Sequence, residues 1–395
     1  MLFENDIGLV LIVKNESTYI GEWLEYHYKI GIDKIYLYDN DSEDRAELMR
    51  ILEPWIQKSF VEYNELPGDY AQLPAYQDAV HRHRFDCKYM AFIDVDEFIV
   101  PKKNLELLEI VDQAFEMKTD SQFLTAALCA NWRMFGSNGH LYRESGGVLE
   151  RFPRRLKDDF YRNLVVKSIT NPRLIDYCKN PHYPKYFVNC TAINENGHRV
   201  VEHENTENTV EKIQINHYFT KSKEEFIQKM SRGRSDCYLR YDEGTFVPYD
   251  DHDEIEDLTA LEIFRQPIIR REKIVDDDST IRDLEFMLGE SEHNLEQLLT
   301  CFHRANGLKN SDLRLDFLSR ISKIMFQMKY FSICDLYIIF DAMPEIISAK
   351  TAFTKHFIDM YSQISLHFEQ AIRQNLFWSE LDELRKRREI IKSFA

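Results

Sequence analysis

The stretch YMAFIDVDEFIVP, Tyr89–Pro101, carries an apolar run straight into three acids, Asp94, Asp96 and Glu97. Carboxylates leaving a buried strand are costly unless they have a partner. Asp94 and Asp96, one residue apart, can turn toward one hard cation, Mg2+ or Mn2+. Such an ion bridges carboxylates to a diphosphate, neutralises its charge and helps a leaving group depart. A capped loop or a salt-bridged strand end is the plainer alternative, because chance produces many D-x-D triplets.

The elements that would position these acids are legible upstream. IGLVLIVKNE (Ile7–Glu16) is a continuous apolar run suited to a parallel strand buried on both faces. STYIGEWLEYHYKIG reads as a helix, with Ser17 as cap, Ile20, Trp23, Leu24 and Tyr28 at helical spacing, and Gly31 closing it. DKIYLYDNDSED reads as a second strand with a polar turn, RAELMRILEPWI as a helix and KSFVEYNEL as a third strand. AYQDAVHRHRFDCK is then a helix and YMAFIDVDEFIV a fourth strand. This βαβαβαβ order predicts an α/β fold with a mostly parallel sheet and flanking helices. Ligands of open α/β sheets sit beyond the carboxyl ends of the strands. There the sequence delivers Asn15 and Glu16, Asp39 and Asn40, and Asp94 and Asp96.

From about Asn131 to Tyr249 the pattern mixes short strands with loops. The acidic break DDHDEIED (Asp250–Asp257) marks a boundary, and helical periodicity follows to the end. The expected organisation is an α/β domain over residues 1–250 and an all-helical domain over residues 251–395.

The 395 residues carry a formal net charge of −17, which argues against a nucleic-acid partner but not against a phosphorylated small ligand carried on a divalent cation. Seven Cys without a CxxC pair suit a reducing compartment. The N-terminal apolar run, of about seven residues, is too short to span a membrane. The expectation is a cytoplasmic protein. Near the end, RKRR (Arg385–Arg388) shares an amphipathic helix with Phe377, Trp378, Leu381 and Leu384. That helix suits either peripheral contact with anionic lipid or a solvated homo-oligomer or packing face. HRHR (His81–Arg84) reads as helix surface, since His81 and His83 point to different faces.

Several ordered blocks resemble glycosyltransferase family 92, a group with a GT-A type, Rossmann-like fold. They are VKNESTYIGEWLEYHYKIGIDKIYLYDNDSED (Val13–Asp44), YMAFIDVDEFIVP, NWRMFGSNGH (Asn131–His140), VLERFPRR (Val148–Arg155), VVKSIT around Lys167, and INHYFTKSKEEFIQKMSRGR (Ile215–Arg234). The resemblance covers roughly residues 7–235 and leaves the helical end unaddressed. It implies transfer of a sugar with inversion from a nucleotide donor, commonly UDP-galactose, usually with manganese.

The resemblance also implies roles. Asn15 and Glu16 border the nucleotide base, unless they only cap a helix. Asp39 and Asn40 approach the nucleoside, unless DNDSED is only an Asx turn. Gln77 reaches the nucleoside from the helix before the D-x-D strand, unless it is only a surface amide. His217 supplies a third metal ligand beside Asp94 and Asp96, because neutral imidazole suits manganese, unless beside Tyr218 and Phe219 it is only a satisfied core histidine. Lys221 contacts a phosphate, unless it is only a solvated lysine. Glu150 is the first choice for the base that deprotonates the acceptor, with Glu202 and Glu204 as rivals. Trp132 stacks on a sugar and Arg133 and His140 bind its hydroxyls, the alternatives being core packing and a loop salt bridge. The expected function is a divalent-metal-dependent inverting transferase moving a sugar from a UDP-sugar to a saccharide or lipid-linked saccharide of a surface glycan. A metal-dependent phosphohydrolase and a non-catalytic scaffold are the rivals.

Overall fold

The structure is a computed structural model that describes residues 3, 5–117, 123–187, 190–233, 242–250, 255–267, 277–289, 295–306, 308 and 311–327. Asn5–Tyr186 and Cys190–Arg271 form one compact unit. Its first half holds β1 (Asn5–Val13), α1 (Ser17–Lys29), β2 (Lys34–Asp39), α2 (Arg45–Gln57), β3 (Val61–Glu65), α3 (Gln72–His83), β4 (Cys87–Phe92), β5 (Glu97–Pro101), α4 (Leu107–Glu116) and β6 (Leu124–Met134). Then come α5 (Val148–Arg151), β7 (Arg154–Arg155), β8 (Val166–Thr170), β9 (Ile175–Tyr177), β10 (Lys185–Tyr186), β11 (Cys190–Ile193) and β12 (Arg199–Val200). The unit ends with β13 (Ile213–His217), α6 (Lys223–Arg232), α7 (Glu243–Asp250), β14 (Ile255–Glu256) and α8 (Thr259–Arg265).

The main sheet runs β12-β11-β6-β8-β4-β1-β2-β3, with β13 and β5 branching from β6. β3, β2, β1 and β4 are mutually parallel, as the apolar runs predict. β8 lies antiparallel between β4 and β6. From Asp6 onward β1 is buried throughout, because helices cover both faces of a parallel sheet. β1 and β4 approach so closely at Gly8 that a Cβ there would sit 2.6 Å from the Cys87 sulfur. α1 turns Ile20, Trp23, Leu24, Tyr26 and His27 inward. Two of these brace β5: Trp23 Nε1 donates to the Glu97 carbonyl at 2.8 Å and Tyr26 Oη to the Ile99 carbonyl at 2.9 Å.

Three features depart from the sequence reading. The expected single strand through Tyr89–Val100 is two strands, because the chain turns at Asp94–Asp96, closed by Glu97 N–H donating to the Asp94 carbonyl at 3.0 Å. A continuous strand would place both aspartates on one face; the turn sends Asp94 toward α3 and Asp96 toward α6. β5 then pairs antiparallel with β13, Glu97 opposite His217. Secondly, HRHR is not all surface. His83 is buried, stacked 4.0 Å from the Tyr36 ring, and buried Arg84 donates to the Ile175 carbonyl at 3.2 Å. Thirdly, the compact unit runs past the expected division at residue 250 to Arg271. β14 pairs with β7, and Asp257 accepts from Gln214 at 3.1 Å and pairs with Arg155 at 3.2 Å, so α8 belongs with the sheet.

The second unit comprises Met1–Glu4, Phe187–Asn189 and Glu272–Ala395. Its described part is α9 (Asp277–Leu288), α10 (Leu295–Asn306) and α11 (Ser311–Gln327). They bury Leu284, Leu298, Phe302, Phe317 and Ile321, and Arg320 forks onto Glu285 at 2.7 Å. The Phe377–Arg388 segment lies outside the described residues. Among the described residues no helix is long and apolar enough to cross a membrane.

Candidate active site

The turn between β4 and β5 is the centre of a dense set of charges. Asp94 accepts from Gln72 Nε2 of α3 at 2.8 Å and faces the Lys167 ammonium of β8 at 3.1 Å. Lys167 is only 1% exposed and also lies 3.0 Å from Glu97, which is fully buried. Burial alone would discharge this lysine, but Asp94 and Glu97 outweigh it and raise its pKa. Glu97 is pushed up by burial and by its acidic neighbours, and Lys167 offsets part of that rise. Glu97 Oε2 also accepts the Asp94 N–H at 2.9 Å, which fixes the turn.

On the other side Asp96 meets α6 and β13. Lys229 Nζ sits 2.5 Å from Asp96 Oδ2, and His217 Nε2 lies 3.6 Å from Asp96 Oδ1. Tyr218 N–H donates to the Asp96 carbonyl at 2.8 Å, so β13 holds the turn through its backbone as well. Burial would raise the Asp96 carboxyl, but Lys229, His217 and Lys221 hold it well below the usual carboxylate range. His217 is lowered by burial, which favours the neutral imidazole with one ring nitrogen's lone pair available.

These atoms suit a divalent ion in part. Ligands about 2.1 Å from one Mg2+ or Mn2+ sit about 3 Å apart at right angles, so Asp96 Oδ1 and His217 Nε2 are close to the required spacing. Carboxylate oxygen and imidazole nitrogen match manganese. Asp94 does not join them, since its oxygens are directed at Gln72 and Lys167. Among the described residues, no group of three His, Cys, Asp or Glu is arranged to hold a metal. Two protein ligands with the remainder from water and phosphate is the usual arrangement for Mg2+.

The other expected site residues divide into two groups. Glu16 and Lys221 lie beside the turn. Glu16 is 5% exposed, pairs with Arg232, and leaves Oε2 without a hydrogen bond among the described residues. Lys221 is equally buried and lies within the fields of Asp96 and Glu16. Asp39, Asn40, Asn15 and Gln77 are engaged elsewhere. Asp39 accepts from Ser42 N–H at 3.0 Å, Arg45 at 2.8 Å and Tyr63 at 2.8 Å, which is the Asx-turn alternative. Asn40 donates to the Leu66 and Gly68 carbonyls at 2.9 and 2.7 Å. Asn15 accepts from Glu43 N–H at 2.7 Å, stitching the loops after β1 and β2 together. Gln77 accepts from Cys178 N–H at 2.9 Å, away from Asp94.

Trp132 packs against His217 with ring centroids 4.3 Å apart, and its N–H has no partner among the described residues. Arg133 is a buried strut to Asn208 at 2.5 Å. His140 packs edge-on against Phe152 at 5.5 Å. The Glu150 side chain is 63% exposed with Arg265 3.5 Å away. Glu202 pairs with Lys179 at 2.6 Å, and Glu204 is exposed.

The pattern of glycosyltransferase family 92 matches residues 11–252, more than half of the chain. The chain belongs to glycosyltransferase family 92. A family 92 protein of Ricinus communis is 26% identical over 180 residues, 45% of this chain and 32% of that protein. One of Oryza sativa subsp. japonica is 24% identical over 184 residues, 43% and 28% of the two chains. Galactan beta-1,4-galactosyltransferase GALS3 of Arabidopsis thaliana is 24% identical over 154 residues, 34% and 30% of the two chains. The family 92 chain thus spans about a third of the length of these relatives.

Four residues of this candidate site in the family 92 chain have no individual role in the sequence reading. Lys229 sits on an amphipathic helix, where a lysine ordinarily reads as solvated. Lys167 lies inside a β-run, and Gln72 precedes the expected helix start at Ala75. Glu225 reads as the last position of a capping box, and it is that: Ser222 and Glu225 close both bonds. It is also gripped by Arg151 at 2.9 and 2.8 Å. Burial would raise its carboxyl, but Arg151 and Ser222 hold it down at about 2. A depressed carboxylate stabilises the fold above its ordinary value near 4.5 and loses that contribution as pH falls toward 2. Denaturation midpoints are expected to fall between pH 4.5 and 2, less steeply in Glu225→Gln, which is less stable at pH 7.

Proposed function

We propose that this chain transfers a hexose from a UDP-sugar to a saccharide hydroxyl, with inversion, and that UDP-galactose is the donor. The observation that carries the reading is the facing pair Asp96 and His217, 3.6 Å apart, where the β4 strand of a parallel sheet ends in a family 92 chain. Galactose is supported by the relatives named as galactan beta-1,4-galactosyltransferases. In this reading Asp96 and His217 hold Mn2+ or Mg2+, which when bound offsets charge on the departing diphosphate. Lys229 orients Asp96 by its 2.5 Å contact, and Lys167 with Gln72 fixes Asp94 beside the donor. Lys221 meets a phosphate. The acceptor is a saccharide, free or lipid-linked, of a surface glycan.

A thermal-shift screen tests this. UDP-galactose with Mn2+ at a hundredfold excess over its dissociation constant is expected to raise the melting temperature by about 5–10 °C. Indifference to every UDP-sugar with the metal present would remove the proposal. In the same assay His217→Ala is expected to need at least about tenfold more Mn2+ for half-maximal effect, the scale found even for outer-shell partners of a metal.

A further inference from the structure

Among the cations around the turn, Lys221 stands apart. It occupies the loop between β13 and α6 with φ 52°, a conformation that a lysine keeps only when its surroundings impose it. It is 5% exposed, yet among the described residues no carboxylate lies within ion-pair distance of it. Its ammonium rests 4.4 Å from the centre of the Tyr19 ring. An ammonium buried without a direct ion pair, with Asp96 and Glu16 acting on it only at longer range, is held at a cost that an anionic ligand would relieve.

Tyr19 is itself fixed. Its hydroxyl donates to Glu225 Oε1 at 2.9 Å, and Arg151 clamps the same carboxylate at 2.9 and 2.8 Å. Ser222, the residue after Lys221, gives Glu225 its N–H at 3.0 Å and its hydroxyl at 2.6 Å. One carboxylate therefore anchors both the ring under the ammonium and the backbone that carries it. The Arg143 guanidinium approaches the same ring at 5.8 Å.

We infer that Tyr19 is a positioning residue, a fixed post that holds the Lys221 ammonium against the terminal phosphate of a nucleoside diphosphate. This rests on the donor reading above. The ring supplies a cation–π contact, worth most when desolvated, without neutralising the charge as a carboxylate would. Burial lowers the Lys221 ammonium's pKa and Asp96 and Glu16 offset only part of that, so an anionic ligand would favour its charged form.

Calorimetric titration of the full chain with UDP and UMP, in saturating Mg2+, tests the inference. Wild type is expected to bind UDP more tightly than UMP. Lys221→Met is expected to lose about tenfold or more in UDP affinity while UMP affinity stays within about twofold, the scale of one charged hydrogen bond. Tyr19→Leu is expected to lose about fivefold for UDP alone, and Tyr19→Phe, which keeps the ring, less. Equal weakening for UDP and UMP would show a merely structural role, and UDP affinity unchanged in Lys221→Met or Tyr19→Leu would refute the inference. A wild-type chain that binds none of UDP, ADP, GDP and CDP would instead overturn the donor reading and take this inference with it.

Discussion

Asp96→Asn is expected to lower sugar transfer by about 100- to 1,000-fold, the scale of removing one fixed electrostatic contact to a reacting charge. The substitution keeps shape and removes one negative charge. Asp96 Oδ1 then no longer offers an anionic oxygen beside His217, 3.6 Å away, and Lys229 loses the carboxylate 2.5 Å from its ammonium. Both effects weaken the grip on the donor's diphosphate. Rates with UDP-galactose, measured beside a denaturation curve, separate lost chemistry from lost folding. A variant that unfolds normally and still turns over near the wild-type rate would exclude Asp96 from the reaction.

The largest effect on stability is expected at Lys167→Met. The ammonium is 1% exposed and lies between Asp94 at 3.1 Å and Glu97 at 3.0 Å, with the Pro181 carbonyl at 3.3 Å. Methionine fills the space but leaves Glu97, fully buried, without its counter-charge. Removing one partner of a buried pair typically costs about 3–5 kcal/mol. Adding Glu97→Gln to Lys167→Met is expected to recover part of that loss, because the uncompensated charge is then gone. A urea denaturation cycle of wild type, both single variants and the double variant measures the coupling. A single-variant cost under about 1 kcal/mol would show that the pair contributes little.

The parallel half of the sheet was legible because β1, β2 and β4 are near-continuous apolar runs and the helices between them have clear periodicity. Asp94 and Asp96 were legible as acids at a strand end and His217 through the family resemblance, and the structure brings Asp96 and His217 face to face. What the sequence conceals is partnership across the sheet. Asp94 lies 73 positions from Lys167, and Asp96 lies 133 from Lys229, so no local pattern links them. Two expected nucleoside contacts have intramolecular partners set by the geometry of the helix and turn. Gln77 and Gln72 differ by five positions on α3, which places them on different faces, and only Gln72 reaches Asp94. Asp39 ends β2 as a site acid does, yet Ser42, Arg45 and Tyr63 occupy it. A strand-end acid followed three residues later by a serine is better read as a turn first. Trp132 and Arg133 are adjacent on β6 and both buried, Trp132 against His217 and Arg133 against Asn208.

Manganese binding followed by electron paramagnetic resonance, with UDP present, measures the central claim directly. One Mn2+ per chain is expected to bind in wild type, with the free-ion signal returning in Asp96→Asn and His217→Ala. Mn2+ that stays free with wild type and saturating UDP, or that binds both variants as tightly as wild type, would contradict it.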